Sequence, residues 1–164
     1  MLNTKTLKQF QEELGSKNPT PGGGVVAALS ASFAASLIEM VCNLSQGKAI
    51  LRIRKRVIEL RKKLTKLADE DAKAFDRVMV AYRTKPRSVA KIRKSLNFAI
   101  VVPSEVRKHA QELEKLAIKV AKIGNKNAYS DAKTALHLSQ AAQKSALENI
   151  KINKESIKKL ETSS

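Results

Sequence analysis

Asp71 is the side chain whose type and setting best suit proton-transfer chemistry. Apolar residues recur around it at spacings of three and four, which indicates the buried face of a helix; they are Leu64, Leu67, Ala74, Phe75 and Val78. Asp71 falls on this face, whereas Glu70 and Lys73 point outward. Because burial raises the pKa of a carboxyl group, such a residue suits general acid–base catalysis near neutrality. A buried cap or a helix–helix hydrogen bond explains the spacing equally well.

A glycine-rich loop is the second candidate for chemistry. Two prolines and three glycines stand within the six residues Pro19-Thr20-Pro21-Gly22-Gly23-Gly24, directly before a long apolar segment. Free N–H groups and a positive dipole at a helix start would bind an anion or a carbonyl oxygen. The spacing is not that of a Walker A loop, and no strand precedes it. A plain structural turn remains an equal alternative.

The other reactive side chains favour structural roles. Glu39 is the one charge in the apolar segment, and we expect it to pair with Lys48 or an arginine. Cys42 lies in the same segment and is expected to be a small buried hydrophobe. His109 and His137 are far apart in sequence, so we predict no metal site. The polar stretch from Gly124 to Asp131 is undecided by itself.

The elements that position these residues are helical throughout. The segment from Val25 to Leu44 is apolar on all sides and rich in alanine, which predicts a central buried helix. A short amphipathic helix is expected over 4–14, ended by Gly15, and no stretch alternates with the period of a strand. The sequence therefore predicts an all-α antiparallel bundle around an Ala-rich helix, as a single domain over 1–164.

Three longer helices complete the expected bundle. The first runs from Lys48 to about Tyr82, and Ser88 caps the second, which ends at Gly124. Pro103 either kinks that second helix or begins a new one. For the last helix, Ser130 or Asp131 is the expected cap, and 149–153 the expected end.

The composition limits the classes of function. The net charge is +17, but along 48–66 the basic residues cover the face opposite an apolar stripe, as on a solvated helix. The six aromatic residues are scattered rather than interleaved with charge, so specific nucleic-acid binding is the minor interpretation. The apolar segment has the length of a membrane span but holds Glu39 and lacks an aromatic belt, so we expect no membrane association. The single cysteine and the absence of a signal pattern fit the cytoplasm.

Taken together, the motifs resemble a known family of folate enzymes, formiminotetrahydrofolate cyclodeaminase/methenyltetrahydrofolate cyclohydrolase. No single motif is specific, but the ordered set covers nearly the whole chain. The matching stretches are Pro19–Gly24, Leu44–Lys48, Asp71–Phe75 with Val78-Met79, Val102-Pro103, Gly124–Asp131 and Asn149–Asn153.

The resemblance implies a helical homodimer that binds folate in a cleft near the subunit interface and needs no further cofactor. The implied reactions close 5-formiminotetrahydrofolate to 5,10-methenyltetrahydrofolate with loss of ammonia, or hydrolyse the methenyl compound to 10-formyltetrahydrofolate. Asp71 matches the family's acid–base aspartate, and Lys48 its lysine, which would hold a folate carboxylate or bias the charge of Asp71. The remaining residues implied to bind substrate are Gly22, Gly23, Gly24, Asn125, Ser130 and Asp131.

Two departures from the family pattern bear on activity. Val25 stands where relatives have a small polar residue, and the sequence ends at Ser164, where relatives commonly continue with another helical segment. A catalytically idle family member is therefore one alternative to the enzyme. The other is a basic helical module that binds nucleic acid.

Overall fold

The computed structural model describes residues 4–162, and within them the fold is all-α, as the sequence predicts. The helices are α1 (Leu7–Leu14), α2 (Gly23–Asn43), α3 (Lys48–Arg83), α4 (Val89–Ile123) and α5 (Tyr129–Thr162), with a 3-10 turn at Lys126–Ala128. No strand occurs in this part of the chain.

Helix α2 is the centre of the bundle, because α3, α4 and α5 all pack against it. Its inward positions are small, and five alanines among them are almost fully buried, which lets the neighbouring helices approach closely; they are Ala27, Ala28, Ala31, Ala34 and Ala35. The four long helices run up, down, up and down. Asp71, late in α3, touches Gly24 at the start of α2, whereas Asn125, just after α4, bonds Leu44 at its end.

The amphipathic pattern of α3 is confirmed. The six residues of its predicted apolar stripe are buried, while most of the basic residues between them are exposed; the buried set is Ile50, Ile53, Val57, Leu60, Leu64 and Leu67. Each Å² of apolar surface removed from water stabilises the fold by about 25 cal/mol, so burial of this stripe fixes the rotation of the helix about its axis. That rotation directs Asp71 toward α2.

Helix α4 continues through Pro103, which lies buried inside it. A proline has no N–H, so the carbonyl oxygen of Ala99, four residues earlier, loses its helical hydrogen bond. The Asn153 side chain of α5 replaces that donor, with Nδ2 3.2 Å from the Ala99 oxygen. The two helices are thus joined at the point where α4 is interrupted.

Several predicted boundaries are confirmed and others are wrong. Ser88 caps α4 by accepting a hydrogen bond from the Lys91 N–H, and α1 begins after Thr6, three residues later than 4–14 implies. Ser130 and Asp131 are not caps, because the 3-10 turn leads directly into α5 and places them in its first turn. Helix α5 also continues past 149–153 to Thr162, since buried Leu160 extends its apolar face.

Helix α2 is the one helix among residues 4–162 that is long and apolar enough to cross a membrane, with mean hydropathy 1.9. However, 56% of its most apolar 18-residue stretch is buried inside the bundle, which is the arrangement of a core helix. Its remaining surface faces outward as a narrow stripe.

Candidate functional site

The start of α2 is capped by a side chain from another helix. The N-cap residue is Gly22, which has no side chain to accept a hydrogen bond from the first turn. The Asp71 carboxylate on α3 takes this role by accepting a hydrogen bond from the Val25 N–H. The prediction of a cap and the prediction of a reactive carboxylate thus describe one and the same group.

Gly24 allows the carboxylate to reach the helix start. A Cβ atom added at Gly24 would lie 2.3 Å from Asp71 Oδ1 and 2.5 Å from Asp71 Cγ, well inside van der Waals contact. A Cβ at Gly22 or Gly23 would meet nothing closer than 3.5 Å. Of the three glycines, Gly24 is therefore the one at which any side chain would displace Asp71.

Burial raises the pKa of Asp71 to about 6, and the hydrogen bond from the Val25 N–H only partly opposes this shift. The positive end of the α2 dipole also favours the ionised form. Desolvation by the surrounding helices outweighs both effects. A carboxyl group with this pKa gives up and takes back a proton near neutral pH, as general acid–base chemistry requires.

Asp71 lines a cavity of about 360 Å³ at the start of α2. One wall is apolar and comes from α3 and α4, with Phe75, Val78 and Leu96 among its residues. The polar wall is formed by the loop from Pro19 to Gly24 and by Asn149, Asn153 and Ser156 of α5. This combination suits a flat, partly polar ring system.

Two asparagines of α5, Asn149 and Asn153, lie in the polar wall. They bound a stretch that carried the family resemblance but were not among the predicted site residues. The Asn149 amide nitrogen is 3.8 Å from where a Cβ of Gly23 would be, so it packs against the glycine loop. A possible signal was their spacing, because two poor helix formers four residues apart share one helix face.

The other predicted site residues lie at the opposite end of α2. The exposed Lys48 begins α3, and 23 residues of one helix separate it from Asp71, or about 35 Å. Asn125 donates from its backbone N–H to Ser45 Oγ and from Nδ2 to the Leu44 carbonyl, and Ser130 and Asp131 follow in the first turn of α5. A single copy of the chain therefore brings together Gly22–Gly24 and Asp71, and does not bring Lys48, Asn125, Ser130 or Asp131 to them.

The Glu39 and Cys42 side chains behave as the sequence predicts. Glu39 Oε2 accepts a hydrogen bond from Arg61 Nε at 3.1 Å, so an arginine rather than Lys48 is its partner. Burial raises the pKa of the Cys42 thiol to about 11, which keeps it unreactive. His137 is exposed, and His109 is buried within α4. Between residues 4 and 162, no cluster of three or more metal-ligating side chains occurs.

A second, charged cleft of about 370 Å³ lies between α3 and α4, around His109. Most of its basic side chains are paired with carboxylates: Arg56 bonds Glu112 at 2.6 Å and Lys66 contacts Glu70 at 3.3 Å. Lys108 contacts Glu105 in the same way. These pairs form a surface ion network and leave the Asp71 cavity as the better candidate site.

Comparison with known proteins gives a consistent result. The profile of the formiminotransferase-cyclodeaminase family matches residues 6–163. A methenyltetrahydrofolate cyclohydrolase of Methylorubrum extorquens is 38% identical over 168 residues, covering 93% of this chain and 81% of that protein. The crystal structure of formiminotetrahydrofolate cyclodeaminase from Thermotoga maritima superposes with a TM-score of 0.89 at 31% identity, covering 99% of this chain and 86% of that one.

Longer relatives contain this fold as one part. The formimidoyltransferase-cyclodeaminase of Sus scrofa is 29% identical over 164 residues, which cover 91% of this chain. The chain spans only 30% of that protein's length. The similarity to this relative therefore concerns a single region of it.

Proposed function

The chain belongs to the formiminotransferase-cyclodeaminase family of folate one-carbon enzymes, and from this premise we propose that its reaction takes place in the Asp71 cavity. The substrates are 5-formiminotetrahydrofolate, 5,10-methenyltetrahydrofolate or both. The observation that carries the proposal is a carboxyl group with a pKa of about 6, held against a glycine helix start in a cavity with one apolar wall.

Asp71 acts as base and then as acid in the hydrolytic direction. Water attacks the methenyl carbon while the Asp71 carboxylate accepts its proton, which gives a tetrahedral carbon bonded to N5 and N10. The C–N5 bond then breaks and N5 receives the proton from Asp71. The hydroxyl group on the same carbon loses its proton to solvent as it becomes the carbonyl of the formyl group, which remains on N10. A single carboxyl serves both steps because its pKa lies close to the working pH.

Cyclodeamination uses the same proton transfer at the same carbon. N10 attacks the formimino carbon, and the carbon–nitrogen bond to the departing amine breaks. Asp71 supplies the proton with which that nitrogen leaves as ammonia and recovers one from N10. Neither reaction changes an oxidation state, so no redox cofactor is needed. We propose that proton transfer by Asp71 suffices without a metal.

A second copy of the chain completes the site in this proposal. The outward stripe that runs along α2 and ends at its C-cap residue is apolar and spaced by three and four residues, like the seam of a coiled coil; it consists of Val26, Leu29, Phe33, Leu37, Met40 and Leu44. Phe33 is 55% exposed, although its helix is otherwise the core of the bundle. We propose that two α2 helices pack antiparallel along this stripe in a homodimer.

The antiparallel arrangement gives the distant residues a role. Helix α2 is about 31 Å long, so its start in one copy would lie beside its end in the other. Lys48 of the partner subunit would then approach the Asp71 cavity, together with its Asn125, Ser130 and Asp131. The partner's Lys48 would hold the folate carboxylate in this arrangement. We place the protein in the cytoplasm, where folate and a reduced Cys42 are both expected.

The test is an activity assay that offers the two folates separately. We expect the purified protein to convert at least one of them, and Asp71→Asn to lower kcat by about 100-fold or more. Asp76→Asn, a change at an exposed carboxylate on the same helix, is the matched control. Full activity of the Asp71 variant would exclude this carboxylate from the mechanism.

The pH dependence of hydrolysis provides a second readout. A general base must be ionised, so kcat/KM for methenyltetrahydrofolate should rise with pH and level off above about 6. A flat profile through this range, in an enzyme whose chemical step limits the rate, would contradict the assignment of Asp71.

A further inference from the structure

The Asn153 side chain is fixed in one orientation by two backbone carbonyls. Its Nδ2 lies 2.9 Å from the Asn149 oxygen and 3.2 Å from the Ala99 oxygen that Pro103 leaves without a helical donor. Rotating the amide by half a turn would place Oδ1 against both oxygens, which is repulsive. Both amide hydrogens are therefore committed, and Oδ1 is the one hydrogen-bonding atom that the side chain has left.

The cavity therefore combines acceptors and donors on neighbouring parts of its polar wall. Asn153 of α5 lines the cavity, and Oδ1 is the acceptor that its side chain can offer there. Gly23 and Gly24 contribute first-turn N–H groups, which an α-helix does not satisfy internally. Such a wall is complementary to a lactam edge, in which a carbonyl oxygen stands next to an N–H.

We propose that Asn153 is a specificity-determining residue that accepts a hydrogen bond from N3–H of the pterin ring, while the N–H groups of Gly23 and Gly24 bind the adjacent O4. This inference rests on the proposed folate activity and specifies how the ring is oriented. In a pterin, O4 and N5 are neighbours on the two fused rings. An O4 atom bound at Gly24 therefore brings N5 toward Asp71, whose carboxyl group touches Gly24.

The proposal predicts a preference between two ligands that differ only at this edge. In a 4-amino-4-deoxy folate, an amino group replaces O4 and N3 loses its hydrogen, so donor and acceptor are exchanged. A site built to bind one pattern rejects the other, because its polar groups lose their partners. We expect 5-formyltetrahydrofolate to bind at least about 10-fold more tightly than its 4-amino-4-deoxy counterpart in isothermal titration calorimetry.

Pro103 makes it possible to separate the ligand role of Asn153 from its structural role. Asn153→Leu alone leaves the Ala99 oxygen without a donor and should destabilise the bundle. Pro103→Ala restores an N–H at position 103 that can bond this oxygen within α4. In the Pro103→Ala background we therefore expect Asn153→Leu to lower Tm much less than in the natural background. The double variant should nevertheless bind the 4-oxo ligand no more than about threefold more tightly than the 4-amino ligand.

The controls distinguish a wrong assignment of Asn153 from a wrong proposed function. Asn97→Leu, in the same background, makes the same chemical change at an exposed site on α4 and should keep the preference. An undiminished preference in the Asn153 variant would overturn the assignment of Asn153 while leaving the folate activity intact. If neither ligand binds the natural protein, the proposed function fails as well. If the Asn153 variant does not fold, equal binding of the two ligands to the natural protein would still overturn the inference.

Discussion

At the scale of single residues, the molecule keeps one carboxyl group in an unfavourable electrostatic setting. Asp71 is partly removed from water, and the hydrogen bond that it accepts from the Val25 N–H offsets only part of the resulting rise in pKa. In contrast, Glu39 and Glu112 are both bonded to arginines. A carboxylate that could have been paired and is instead left desolvated is a frequent mark of a functional site.

This setting predicts that Asp71 lowers stability at neutral pH. Its pKa is about 6 when folded, against 3.8 as the model value for an aspartate. Between these values the folded chain binds a proton that the unfolded chain has released, so stability falls as pH rises through the window. Above pH 6 the loss amounts to at most about 3 kcal/mol.

Asp71→Asn should therefore be more stable than the natural protein at pH 7.5 and equally stable near pH 4. Thermal unfolding across this range measures the difference, with Asp76→Asn as the exposed control. A constant gap in Tm from pH 4 to 7.5 would show that the carboxyl is not desolvated in the folded state. If stability instead changes with pH as expected, Asp71→Asn combines greater stability with lost activity, a common trade-off at active sites.

At the scale of elements, the sequence predicted what depends on one helix and missed what depends on two. The spacing around Asp71 placed it on the buried face of α3, because side chains at three and four residues share a face. The distance between Lys48 and Asp71 also depends on one helix, and the single helix predicted from Lys48 to about Tyr82 already implied it. Asn153 could not be assigned, since its partner Ala99 lies 54 residues away on another helix.

The contact between α2 and α3 predicts a strong effect at one glycine. Gly24→Ala places a methyl group where the Asp71 carboxyl lies, so either the carboxyl or the start of α2 must shift. We expect kcat to fall by about 100-fold, because catalysis is sensitive to displacements of 1 Å. Steady-state kinetics and circular dichroism would distinguish lost geometry from unfolding.

Gly15→Ala is the matched control for this change. It adds the same methyl group after α1, where the nearest atom is 3.4 Å away. We expect unchanged kinetics in that variant. Natural kcat in Gly24→Ala would mean that the contact between Gly24 and Asp71 has no bearing on catalysis.

At the scale of the whole molecule, the proposed function requires two copies. Phe33 and Met40 lie on the outward stripe of α2, at 55% and 37% exposure. Phe33→Lys should convert the dimer to monomers, since it would bury a charge in the seam. Sedimentation velocity measures this, with Val101→Lys as a control at a site of similar exposure, 53%, on α4. A Phe33 variant that stays dimeric would place the interface elsewhere.

Mixing two inactive variants tests whether the site is shared. In an antiparallel dimer of Asp71→Asn with Lys48→Ala, one site carries both changes and the other carries neither. Random reassociation makes half of the dimers mixed, so about one quarter of the natural activity should return. No recovery would confine each site to a single copy.

The hydrogen bond from Val25 to Asp71 links acid strength to the architecture of the bundle. The Asp71 carboxylate that would carry the reacting proton also caps the first turn of α2, the most buried helix. An engineer who wished to move the pH optimum could not do so by redesigning this cap without loosening the core. The practical route is through the apolar wall, where exchanging Phe75 or Val78 changes the local dielectric and leaves the cap in place.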